Sequence, residues 1–70
     1  MAYSRERNAH ICLQDALREL KRSREYLGGR GTGHLKQEVW QCEMTLVRIS
    51  GDVLAVADYI EACGDSVEPE

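Results

Sequence analysis

Apolar residues recur through the second half of the chain at gaps of four and three without a slip: Leu35, Val39, Cys42, Leu46, Ile49, Val53, Val56, Ile60 and Cys63. That spacing predicts one long helix laid against another along a narrow seam. A second row with the same gaps, Trp40, Met44, Val47, Gly51 and Leu54, lies roughly 150° around the same helix at 100° per residue. A helix that is apolar on two nearly opposite sides needs two partners, and the chain has only one other helix to offer.

That other helix covers about residues 5–27. Ser4 is its candidate N-cap, because the hydroxyl can accept a bond from a free backbone N–H. Its seam reads Ala9, Leu13, Ala16, Leu20, Ser23 and Leu27, widened by Leu17. Lys21, Arg22 and Arg24 fall in the last two turns, where positive charge suits the carbonyl end of the helix dipole. Gly28 can take the left-handed conformation that closes the helix. Residues 28–33, four of them glycine, form a turn, with Thr32 as N-cap of the second helix. The second helix spans about residues 34–63, with Gly64 as its C-cap, and a loose acidic tail follows over residues 65–70. Ser50-Gly51-Asp52 is its weak point, since glycine inside a helix costs about 1 kcal/mol against alanine. The main seam keeps its phase across this site, so one continuous helix is expected.

The fold class is therefore all-α, an antiparallel two-helix hairpin in one domain over residues 1–64. Pairing the seams about the loop sets Leu27 near Leu35, Leu20 near Cys42, Leu13 near Ile49 and Ala9 near Val53. Seventy residues give a marginal core, and such scaffolds commonly oligomerise. If the first helix covers the main seam, the Trp40 row stays in water. Burying each of its large side chains is worth roughly 1.5–3 kcal/mol. Self-association through Trp40, Met44, Val47, Gly51 and Leu54, as a homodimeric four-helix bundle, removes that exposure. Gly51 offers a point of close approach or is simply a tolerated, mildly destabilising residue.

Charge adds a second theme. Residues 1–36 hold eight basic and four acidic side chains; residues 37–70 hold one basic and eight acidic, so halves of +4 and −7 make the net −3. This asymmetry points to a charged partner, or to a basic helix lying on an acidic one. Arg18, Lys21, Arg22 and Arg24, with Arg30 and Lys36, make the loop end of the hairpin positive. Asp15, Glu19 and Glu25 are interleaved with them at ion-pairing spacings, and the pI near 5.3 argues against a dedicated nucleic-acid binder. The segment Gly29-Arg30-Gly31-Thr32-Gly33-His34 joins small residues, a guanidinium and a helix N-terminus, a combination that attracts phosphate or carboxylate. It lacks the Lys-Ser/Thr pair and preceding strand of a nucleotide-hydrolysing loop.

Catalytic chemistry is not indicated. His10 and His34 lie near opposite ends of the hairpin, no Cys or His pair has metal-ligand spacing, and Asp58 and Glu61 sit on an open face. The expectation is no catalytic residue, no cofactor and no metal. Cys42 and Cys63 read as small buried hydrophobes, Cys12 flanks the first seam, and three thiols with no apolar leader suggest a reduced, cytoplasmic chain. No run of residues is apolar enough to span a membrane. The leading functional expectation is a small non-enzymatic interaction protein that regulates, inhibits or sequesters a macromolecular partner. Phage or mobile-element origin is suggested by analogy alone. The partner-binding residues would be Arg18, Lys21, Arg22, Arg30 and Lys36 at the basic end, and Trp40 and Met44 on the apolar edge. The alternative is a module for nucleic acid or a small anionic ligand, bound by the basic end and the glycine-rich turn.

Overall fold

A computed structural model describes residues 3–63. Two helices, α1 (Arg5–Tyr26) and α2 (Gly33–Ala62), pack antiparallel as a hairpin about 55 Å long. The Ser4 hydroxyl accepts the Arg7 N–H at 3.0 Å and starts α1. Glu6 in its first turn and Arg24 in its last oppose the helix dipole. At the other end, the Leu27 N–H donates to the Arg24 carbonyl, and Gly28 leaves the helix with φ +109°.

The loop shows one departure from expectation. Thr32 precedes α2, but its hydroxyl does not cap that helix. It turns back and accepts the Gly28 N–H at 2.8 Å, while the Thr32 N–H donates to the Gly29 carbonyl. The side chain therefore closes the loop rather than capping the helix it precedes. Helix α2 runs without interruption through Ser50-Gly51-Asp52. The proposed Gly64 cap and the tail over residues 65–70 lie outside the described residues.

The seam itself is rotated from the one the apolar pattern suggests. On α1, His10, Leu13, Leu17, Leu20 and Arg24 are covered, as is Leu27 at its C-cap, whereas Ala9, Ala16 and Ser23 face outward. On α2, Val39, Leu46, Val53 and Ile60 are half-buried as expected, but they alternate with Glu43, Ser50 and Ala57, the most deeply buried residues of the helix. Leu35, Cys42, Val56 and Cys63, expected inside, are exposed, and Ile49 is half-buried. Cys42 and Cys63 are thus surface thiols, as is Cys12.

The physical reason is polar. Each helix contributes one aliphatic row to the seam, Leu13, Leu20 and Leu27 against Val39, Leu46, Val53 and Ile60. The second row on each helix is chosen by groups that must be paired. Arg24 donates to both carboxylate oxygens of Glu43, at 2.5 and 3.0 Å, a bidentate geometry in which Glu43 is fully enclosed. Gln14 donates to Ser50 Oγ at 2.7 Å, and His10 Nδ1 lies 3.1 Å from the Ser50 carbonyl oxygen and 3.0 Å from its hydroxyl. Among the described residues no buried side-chain nitrogen or oxygen lacks a hydrogen-bond partner. Fully satisfied, these contacts fix a single phase between the helices, where greasy rows alone would permit several.

Candidate interaction surface

Rotation of the seam leaves α2 with two uncovered apolar flanks. In heptad terms, the enclosed rows of α2 are the a residues Glu43, Ser50 and Ala57 and the d residues Val39, Leu46, Val53 and Ile60. The flank beside the a row carries Trp40, Val47 and Leu54, with Met44 and Gly51 one step further round. Trp40, Met44 and Val47 are 42%, 43% and 47% exposed, and Leu54 is half-buried. A side chain built at Gly51 would meet nothing within 4 Å, so α1 does not approach it. The flank beside the d row carries Leu35, Cys42, Ile49, Val56 and Cys63. Polarity-based reading of the sequence finds the first flank and mistakes the second for core.

At the loop end, Trp40 borders an open groove of about 290 Å³ lined also by Arg24, Gly33, Lys36 and Gln37. The indole is the apolar wall, and Lys36 is a cation that makes no ion pair among the described residues. Arg24 has its guanidinium already committed to Glu43, and that bond raises its pKa. The expected basic cluster is thus broken up. Arg18 pairs with Asp15 and Arg22 with Glu19, each one turn away on α1. Such exposed pairs are worth little to stability but offset positive charge. Lys21, Arg30 and Lys36 make no ion pair with the described residues and stay exposed. His10 and His34 are on different helices, His10 in the seam and His34 exposed, and the described residues contain no cluster of metal-ligating side chains.

The opposite end is closed by a clasp that the sequence did not reveal. Arg7 Nη2 donates to Asp58 Oδ1 and Glu61 Oε1, both at 2.7 Å, and the Ser4 hydroxyl donates to Glu61 Oε2 at 2.8 Å. The only sequence signal was that Arg7 and Glu61 fall on flanking rows that an antiparallel pairing brings together. Hydrogen bonds from Arg7 and then Ser4 hold the Glu61 carboxyl at about 2, below its ordinary value, and the two carboxylates raise the pKa of Arg7. A depressed carboxyl stabilises the fold fully above its unfolded-state value of 4.5 and loses that contribution as pH falls toward 2. Glu61→Gln is therefore expected to lower the urea midpoint at pH 7. The gap to the unmodified chain should close between about pH 5 and 2, followed by helical circular dichroism.

No known protein family matches the chain, and neither does any curated protein or solved structure. Among the described residues, no helix is long and apolar enough to cross a membrane.

Proposed function

We propose that this chain is a small non-enzymatic interaction protein, a self-associating helical hairpin that assembles as a dimeric four-helix bundle and binds a macromolecular partner to regulate, inhibit or sequester it. One observation carries the reading: Trp40, Met44 and Val47 stand nearly half exposed in a row on a continuous helix. Tryptophan is the residue type most enriched among interface hot spots, and a row of this kind beside a groove suits a helix or loop of another protein.

The second reading is an anionic partner, nucleic acid or a small phosphorylated ligand, held at the loop end. Lys21, Arg30 and Lys36 favour it, since none is neutralised by a neighbour among the described residues. The internal pairing of Arg18 and Arg22 weighs against it. The two readings separate by salt and by side chain. Affinity capture from native lysate with the unmodified chain, Trp40→Ala and an Arg22→Ala, Arg30→Ala double variant is the test. The protein-partner reading expects capture that persists at high salt and falls at least tenfold in Trp40→Ala. Capture that vanishes with salt and in the double arginine variant, but survives Trp40→Ala, transfers the function to the anionic reading.

A further inference from the structure

Trp40 and Met44 face two demands in this reading, self-association and partner binding, and one surface cannot hold both occupants at once. We infer that the second copy of the chain docks on the other flank, antiparallel, with its twofold axis passing near Ile49 and Ala16, leaving the Trp40 row free. The inference rests on the self-association proposed above and assigns its surface and orientation.

Four observations point there. First, the named rows of this flank carry no charge on either helix. Leu35, Cys42, Ile49, Val56 and Cys63 form one row on α2, about 42 Å long at 1.5 Å per residue. Beside it, across the antiparallel seam, runs the α1 row Ala9, Ala16 and Ser23, all exposed and all small enough for a second backbone to approach closely. On the Trp40 side, the corresponding α1 row is Arg7, Gln14 and Lys21, polar groups that a symmetric copy would desolvate.

Second, both rows are symmetric about one height. Ile49 is the centre of the α2 row and Ala16 the centre of the α1 row. The contacts of Gln14 with Ser50 and of Arg24 with Glu43 place Ala16 and Ile49 level to within about one turn. A twofold interface demands this self-complementarity: the same patch must fit its own rotated copy.

Third, the rod is an electric dipole. Its loop end, residues 16–47, carries six basic and four acidic side chains, net +2. The opposite end, residues 3–15 and 48–63, carries three basic and five acidic, net −2. Antiparallel docking sets each positive end against a negative one; loop-to-loop docking sets like against like. Fourth, the area suffices. A contact about 42 Å long across a face 19 Å wide is on the order of 800 Å², matching the roughly 800 Å² per partner of a standard stable interface.

In this arrangement α2 lies along α2 of the partner and α1 along its α1. Cys42 then meets the partner's Val56, and Cys63 the partner's Leu35, so the native thiols have no cysteine opposite them. Residues at the axis meet their own copies, and this gives the test. In a chain with Cys12, Cys42 and Cys63 replaced by serine, one cysteine is introduced at a time, helicity is checked by circular dichroism, and the protein is mildly oxidised. Disulfide closure needs Cβ atoms about 3.5–4.5 Å apart, so it reports direct apposition. Covalent dimer is expected in high yield with Ile49→Cys or Ala16→Cys, and at least tenfold less with Val47→Cys. Strong cross-linking at Val47→Cys with little at the other two positions overturns the assignment in favour of the Trp40 flank. Cross-linking only when the Ala16→Cys and Ile49→Cys chains are mixed overturns the antiparallel orientation, since loop-to-loop docking sets α1 against the partner's α2. Sedimentation of the unmodified chain, kept reduced, separates the two proposals, because serine at Cys42 and Cys63 alters the named flank itself. A single 7.9 kDa species at high concentration removes self-association itself, whereas a dimer with the wrong cross-links removes only the surface named here.

Discussion

Arg24→Ala is expected to lower the urea midpoint of the hairpin sharply, enough to unfold much of so small a protein at room temperature. The reason is the carboxylate left behind. Glu43 is fully enclosed and takes both of its charge-assisted hydrogen bonds from Arg24, whose side chain is about one-third exposed. Removing the guanidinium leaves an enclosed carboxylate without its hydrogen-bond donors, and the seam must open to water to solvate it. The partner's own worth is a different quantity. Replacing both residues at once, Arg24→Met with Glu43→Leu, is expected to restore most of the loss, because an apolar pair of similar volume needs no solvation. Urea denaturation of the two singles and the double closes the cycle. If Arg24→Ala unfolds no more easily than an exposed Arg30→Ala, the Arg24–Glu43 bond does not hold the seam.

A second large effect is expected one residue away from a negligible one. Ala57 is fully enclosed between the helices, while its neighbour Val56 is nearly half exposed. Ala57→Leu forces three extra carbons into a closed contact and should destabilise by about 1–3 kcal/mol. Val56→Leu adds one carbon on an open flank and should change stability by less than about 0.5 kcal/mol. Thermal unfolding of both variants reads the phase of α2 directly. The opposite ranking would mean that the enclosed row contains Val56, as the unbroken apolar spacing of the sequence alone would have it.

The 4-3 spacing on α2 and the Ser4 cap are local properties, and the structure shows two helices packed as a hairpin. The Trp40, Met44 and Val47 row stays nearly half exposed because it lies beside the enclosed rows of α2 and not within them. The misplaced seam has an equally specific origin. Apolar residues on α2 occupy the d row and the flanks on both of its sides, while the a row reads Glu43, Ser50, Ala57 and would be scored as surface. Hydrophobic pattern therefore favoured the d row with Cys42, Ile49 and Val56. The loop end is also less basic than its count of arginines suggests, since Arg18, Arg22 and Arg24 each have a carboxylate neighbour.

By itself, then, the sequence determined helix, turn and the presence of more apolar surface than one helix can cover. Those follow from periodicity and chain-local hydrogen bonding. Which rows close against each other was decided only in three dimensions. Arg24 meets Glu43 across 19 positions, Gln14 meets Ser50 across 36 and His10 meets Ser50 across 40. Burying polar groups is tolerable only when each finds its partner, and that complementarity is invisible until the two helices lie side by side.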